Sequence, residues 1–222
     1  MKKKFLGRLA VMFFLCGLVS GADAAINYTE TWDSDLSGWG QNTIYTDVEW
    51  QPVGGNPGGF LHTTGTGGFT GAYTNKDELT GNYNFSNFIE VSVDLFSDSS
   101  TMPTVIRFRY KSPAYNGWYY PLGDVASSQW QTYSFEFNPS WSDNQAFAAG
   151  WSTDEGINPS YTTIVSFSET MSDVWSVEAR GLRSGNLDID NFKISPIPIP
   201  GAIWLFASGL AGVIVYRRKK QN

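Results

Sequence analysis

Apolar and polar residues alternate with a period of two in three stretches of the chain. Residues 88–96 read Phe-Ile-Glu-Val-Ser-Val-Asp-Leu-Phe, residues 105–110 Val-Ile-Arg-Phe-Arg-Tyr, and residues 130–137 Trp-Gln-Thr-Tyr-Ser-Phe-Glu-Phe. Successive side chains of a β-strand point to opposite faces, so this period predicts strands with one face buried. Weaker alternation marks further strands at 28–33, 44–51, 60–64, 72–74, 118–122, 174–179 and 187–194. Clusters of Gly, Asn, Ser and Pro at 54–59, 65–71, 97–103 and 112–117 separate them. Many short strands with such turns predict an all-β fold, an antiparallel β-sandwich. One short helix is predicted at 161–172, where Phe167 and Met171 stand four apart.

The two ends break this pattern. Met-Lys-Lys-Lys opens the chain, an apolar run covers 9–19, and Ala22-Asp23-Ala24 follows. These parts predict a secretory signal peptide over 1–24, cut after Ala24. Cys16 would leave with it, so the mature body holds no cysteine and rests on its core alone. At the other end Pro196-Ile197-Pro198-Ile199-Pro200 precedes an apolar run at 201–216 and the basic cluster Arg217, Arg218, Lys219, Lys220. The prolines bar a helix before Gly201. Sixteen helical residues reach roughly 24 Å, a little short of a ~30 Å hydrocarbon layer. The basic end holds to the cytoplasmic side, so the expectation is a single transmembrane helix with the body outside. The chain divides into 1–24, a body at 25–195, and a tail at 196–222.

The 222 residues are 41% hydrophobic and 16% aromatic, too apolar for a disordered chain. Between the two ends lie seven basic and twenty acidic residues, a net of −13. Such a body repels phosphate backbones, which excludes nucleic acid as a partner. The one histidine, His62, sits in strand-like Phe-Leu-His-Thr, and no G-x-S-x-G string accompanies it. One His and no mature Cys exclude zinc chemistry. Carboxylate pairs such as Asp94 with Asp98, or Asp154 with Glu155, are available, but no feature selects a pair for glycoside hydrolysis. The expectation is no catalytic residue and no enzyme. The Gly-rich strings are turns, not phosphate loops.

Eight tryptophans fall in the body. Trp32, Trp39, Trp130 and Trp175 are expected in the core. Tyr115-Asn-Gly-Trp118-Tyr119-Tyr120 places three aromatics in a row on a strand, so Trp118 and Tyr120 share one face and Tyr119 takes the other. Tyr115, Trp118 and Tyr120, with Trp141 and Trp151 from loops, are the candidate rings for stacking on a sugar. Their competing role is to fill the sandwich. Asp33-Ser-Asp-Leu-Ser-Gly38 opens like a calcium loop, but its twelfth position is Ile44, not an acid.

The tail, from Pro198, Ile199 and Pro200 through Pro-Gly-Ala-Ile-Trp-Leu-Phe-Ala-Ser-Gly-Leu-Ala-Gly to Arg217 and Arg218, closely resembles the PEP-CTERM sorting signal. Ile199 departs from it, standing where that signal has Glu. The resemblance implies a Gram-negative host making exopolysaccharide and an exosortase-type membrane processing enzyme as partner. It implies a transient inner-membrane stage, then the cell surface or extracellular matrix. In the body, Glu30-Thr-Trp-Asp-Ser-Asp-Leu-Ser-Gly-Trp39, Trp50-Gln-Pro-Val-Gly-Gly-Asn-Pro-Gly-Gly-Phe-Leu61, Leu79-Thr-Gly-Asn-Tyr83, the string from Phe167 to Arg180, and Leu187-Asp-Ile-Asp-Asn-Phe-Lys-Ile194 resemble the laminin-B type module. That module is a jelly roll related to galactose-binding-like carbohydrate modules. The likeness implies a non-catalytic extracellular unit that binds or organises exopolysaccharide, or a structural and adhesive module without a sugar site. It also implies a structural calcium between first and last strands, drawn from Glu30 or Asp33 with Asp190. A solvated turn is the competing reading of those acids.

Overall fold

The computed structural model describes residues 26–41, 43–85, 87–98, 101–111, 116–126, 128–153 and 165–197. The expected signal peptide, the expected transmembrane run at 201–216, Tyr115, Asp154, Glu155, the start of the expected helix at 161–164, and Pro198, Ile199, Pro200, Arg217 and Arg218 lie outside them. Among the described residues no helix is long and apolar enough to cross a membrane.

Alternation builds the sheets as the pattern predicts. In β6 (Ile89–Phe96), Ile89, Val91, Val93 and Leu95 are buried, and Glu90, Ser92, Asp94 and Phe96 take the other side. β12 (Gly185–Pro196) lies beside it and is the spine of the first sheet. One edge of β12 pairs with β6, which continues to β9 (Gln131–Phe137). The other edge takes β4 (Gly58–Gly65) along its first half and β1 (Tyr28–Glu30) along its second. β3 (Thr46–Gly55) closes that side as a hairpin with β4. The second sheet runs in the order β10 (Ser152–Thr153), β8 (Gly117–Ala126), β7 (Thr101–Tyr110), β11 (Val174–Gly181), β5 (Thr70–Thr74) and β2 (Trp39–Gly40). Every pairing in both sheets is antiparallel.

Two bulges correct strands whose apolar period slips. On β12, Leu187 and Ile189 face the core, and so do Phe192 and Ile194, which have the opposite parity. The register shifts between Asp190 and Lys193, and Asn191 absorbs the extra residue at φ 49°. Asparagine tolerates that left-handed conformation better than most side chains. On β11 the shift lies between Val174 and Ser176, so Trp175 is the extra residue and Val177 and Ala179 return to the core.

Aromatic rings fill much of the space between the sheets. Phe108, Phe137, Trp151 and Phe167 pack together, with Phe137–Trp151 and Trp151–Phe167 centroids at 5.1 and 4.9 Å. Trp32, Trp39 and Phe192 form a second edge-to-face set at 5.5 and 5.0 Å. Two short helices cover one part of this core. α2 (Phe167–Ser172) contributes Phe167 and Met171, and the Ser166 hydroxyl accepts from the Glu169 N–H at 3.3 Å. α1 (Asp143–Ala148) was absent from the pattern reading, because its only buried residue is Ala146. The Asp143 carboxylate accepts from the Phe167 N–H at 2.7 Å and ties the two helices together.

Candidate functional site

The rings selected from sequence for sugar stacking are mostly core. Trp118 is buried, its Nε1 donates to the Val165 carbonyl at 2.9 Å, and its ring packs on Phe147 and Phe167. Trp151 is buried among Tyr120, Phe135, Phe137 and Phe167. Tyr120 is half-buried and stacks on Phe135 at 4.2 Å. Trp118 and Tyr120 do share a face, but it is the inner one, so neither Trp118 nor Trp151 offers a ring face to a ligand. Trp141 is half-buried beside Phe88 and Phe167. The opposite correction applies to Trp130 and Trp175. Both were expected in the core, and both are half-buried on outer sheet faces. Trp130 wedges between Phe60 and Phe96, 5.6 and 5.7 Å away, with its Nε1 donating to the Gly54 carbonyl.

Glu30, Asp33 and Asp190 each engage protein partners, and burial together with the nearby charges of Asp94 and Asp33 raises the Asp190 pKa against its two backbone hydrogen bonds. Glu30 accepts from the Tyr28 hydroxyl at 2.5 Å and from the Trp32 N–H at 3.1 Å, and Lys76 Nζ lies 3.8 Å away. Burial and this carboxylate push the Tyr28 phenol well above its ordinary range. Asp33 accepts from the Thr31 hydroxyl at 2.8 Å. Asp190 is fully buried and accepts from the backbone N–H groups of Asn56 and Asn191 at 2.5 and 2.7 Å. Asp94, beside it, accepts from Thr132, Asn56 and Asn191 side chains. Among the described residues no group of three His, Cys, Asp or Glu side chains is placed to hold a metal ion. The carboxylates instead seat the tip of the β3–β4 hairpin on the sheet. A Cβ on Gly55 would stand 2.6 Å from an Asp190 oxygen, and one on Gly59 would strike the Trp32 carbonyl oxygen. The glycines in Gly54–Gly59 therefore serve close approach as well as turning.

Both oxygens of Asp94 are therefore engaged in seating the hairpin tip. Asp98 accepts from Asn186 Nδ2 at 2.7 Å. His62 pairs through Nδ1 with Asp188 at 2.6 Å, on the outer face of the first sheet. Burial raises the Asp188 pKa, and the pairing with His62 opposes that rise.

The outer face of the second sheet holds a polar cluster that the sequence reading missed. Ile106, Phe108, Val177 and Ala179 point inward, so Arg107, Arg109, Glu178 and Arg180 point outward from the neighbouring strands β7 and β11. Arg107 Nη1 donates to Glu178 at 3.1 Å, and Arg180 Nε lies 3.8 Å from the other oxygen of that carboxylate. Arg109 lies over the Trp175 ring at 5.1 Å, and Arg180 over the Phe69 ring at 3.8 Å. Tyr119 and Tyr73 extend the row on either side, each half-buried, opposite Arg107 and Glu178 in register. The four charged side chains are only 5, 5, 0 and 9% exposed, so they are held in fixed positions and not splayed into water. Three of the body's four arginines meet here, in a molecule that is otherwise acidic. The signal for this cluster was the alternation itself, which puts Arg107 with Arg109, and Glu178 with Arg180, on one side of their strands.

No protein-family model matches the chain, and no curated protein matches it in sequence. Solved structures do match in fold. One is the CBM22-1 and GH10 modules of endo-1,4-β-D-xylanase 10B from Clostridium thermocellum, complexed with xylohexaose, at 12% identity and a TM-score of 0.51. The match covers 79% of this chain and 29% of that one. The CBM22-1 xylan-binding domain of Paenibacillus barcinonensis Xyn10C matches at 12% identity and TM-score 0.51, over 79% of this chain and 99% of that domain. A family 11 carbohydrate-binding module from Clostridium thermocellum, in complex with a β-1,3-1,4-mixed-linked tetrasaccharide, matches at 16% identity and TM-score 0.51, over 78% and 97%. The body is thus a β-sandwich similar in fold to carbohydrate-binding modules.

Proposed function

We propose that this chain is a non-catalytic, polysaccharide-binding β-sandwich. It is exported by residues 1–24 and held outside the inner membrane by 201–216 until an exosortase-type enzyme processes the tail. The exopolysaccharide of its own host is the glycan that this address brings within reach. The observation that carries the binding reading is the face of β7 and β11. Half-buried Trp175, Phe69, Tyr73 and Tyr119 line this face, and the buried Arg107, Arg109, Glu178 and Arg180 beneath and beside them hold the rings in place. The fold likeness to modules whose names specify xylan or mixed-linkage glucan supports the same reading. Because Trp118 packs inward, the proposed site lies on the opposite side of the same sheet.

Affinity electrophoresis of the full chain in detergent tests this. Gels carry xylan, mixed-linkage β-glucan or an acidic exopolysaccharide. The expected result is retardation by at least one glycan, abolished in Trp175→Ala. Unretarded migration in all three would leave a purely structural module, and release of reducing ends would make the protein a hydrolase. Either result overturns the proposal.

A further inference from the structure

β12 runs the length of the sandwich, and its two ends face different surroundings. It opens at Gly185, paired with Gly65, whose other neighbour is Thr46 at the start of β3. It closes at Pro196, paired with Ile89. Twelve residues at ~3.3 Å each put roughly 40 Å between those ends. The chain leaves the body at Ile197, whose N–H donates to the Phe88 carbonyl at 2.9 Å.

Exposed aromatics gather at this exit. Phe88 is 42% exposed, and Phe85 in the same loop is 51% exposed. The edge of Phe88 meets Trp141, itself half-buried, with centroids 6.2 Å apart. No packing inside the sandwich needs these two phenylalanines in water. The nearby charges are acidic or paired: Glu90 lies 3.8 Å from Lys193, Asp143 holds the Phe167 N–H, and Glu169 sits in the first turn of α2. Only three residues, Pro198-Ile199-Pro200, separate Ile197 from the apolar run at 201–216. The four steps from Ile197 to Gly201 reach at most about 14 Å even when fully extended, so the exit end stands within that distance of the point where the run enters a membrane. Phe and Trp at that depth favour the boundary between headgroups and acyl chains.

We infer that Phe85, Phe88 and Trp141 form a membrane-docking edge that rests on the outer leaflet of a bilayer while the tail is in place. The inference rests on the reading of 201–216 as a membrane span and is independent of polysaccharide binding. The acidic rim fits zwitterionic headgroups in preference to anionic ones. Docking holds the sandwich upright, with Ile44, 86% exposed beside β3, at the far end.

The sole cysteine of the chain is Cys16, so a Cys16→Ser background accepts one reporter at a time. The full chain carrying Phe88→Cys or Ile44→Cys is labelled with an environment-sensitive fluorophore. It is reconstituted into phosphatidylcholine–phosphatidylethanolamine vesicles containing a brominated lipid. The expected result is at least three-fold stronger quenching at position 88 than at 44, reduced to half or less by adding Phe85→Ser. Equal quenching at both positions overturns the docking. So does quenching at 88 that Phe85→Ser leaves unchanged, because the tether alone would then place the label. Failure of the full chain to float with vesicles removes the span and the docking together, while leaving glycan retardation as a separate measurement.

Discussion

Trp118 and Trp175 lie on opposite sides of the second sheet, and their loss has different consequences. Trp118→Ala empties a fully buried site and breaks the bond to the Val165 carbonyl, so it costs about 3–5 kcal/mol in urea unfolding. Trp175→Ala removes a half-buried ring and costs less than half of that. A smaller loss for Trp118 than for Trp175 would reverse the assignment of inner and outer faces. Strand alternation shows which side chains share a face; it does not show which face is inside, because both faces of this sheet carry aromatic rings. That is why Trp118 carried two readings, sugar stacking or core, and why Trp175 was expected inside, while Trp32 and Trp39 were placed correctly. Asp188 carries a residue-level prediction in pH. Burial raises its folded pKa, so the folded chain binds this proton more tightly than the unfolded chain does. The stability it contributes is full below the ordinary carboxylate value of 3.8 and is lost as pH rises through the folded value. Asp188→Asn keeps an acceptor for His62 and removes the ionisation. Its melting temperature, relative to wild type, rises with pH above 3.8 in calorimetric scans at constant ionic strength. Parallel curves for the two proteins would show that Asp188 ionises without penalty.

At the level of elements, the β3–β4 hairpin has the most specific local requirement. Its tip lies against Asp190, Trp32 and Trp130, and Gly59 has no room for a side chain because the Trp32 carbonyl occupies it. Gly59→Ala therefore lifts the tip, frees the Asn56 and Asn191 contacts to Asp94 and Asp190, and costs about 2–4 kcal/mol. Gly68→Ala is the control for space, since a Cβ there meets nothing within 4 Å, although its φ of 89°, unlike that of Gly59, is left-handed. It costs about 1 kcal/mol, the strain of the left-handed backbone alone. Equal urea midpoints for the two variants would mean the tip is not seated. The strands themselves were largely legible, because their apolar residues recur at every second position and the turns are punctuated by Gly and Pro. The bulges at Trp175 and Asn191 were not, since a slip of parity within one strand reads like noise in the pattern. α1 escaped for a related reason: six residues with one inward side chain make no helical period. Its anchor is a long-range contact, Asp143 to the Phe167 N–H.

The whole molecule carries an imbalance that its ion pairs do not remove. Seven basic residues face twenty acidic ones in the body, and described pairs engage Lys76, Lys193, Arg107, Arg180 and His62. The class of fold and the acidity were both legible, since they are sums over many residues; the gathering of three arginines on one face was not, since it depends on which strands become neighbours. Salt separates the two electrostatic contributions. Arg107–Glu178 is nearly buried, at 6 and 0% side-chain exposure, so added ions barely weaken it. Lys193–Glu90 is exposed and contributes little in any case. The repulsion among the remaining carboxylates acts through solvent over distances near the Debye length, roughly 30 Å at 0.01 M salt and 8 Å at 0.15 M. Raising NaCl across that range therefore removes more repulsion than attraction, and the melting temperature at pH 7 rises, then levels off. Arg107→Gln, which leaves Glu178 in the sheet with one fewer partner, lowers the melting temperature at every salt concentration but keeps the same upward slope. A wild-type melting temperature that falls with salt would mean that attractive pairs dominate, and the body would then behave as an ion-pair network and not as a self-repelling polyanion.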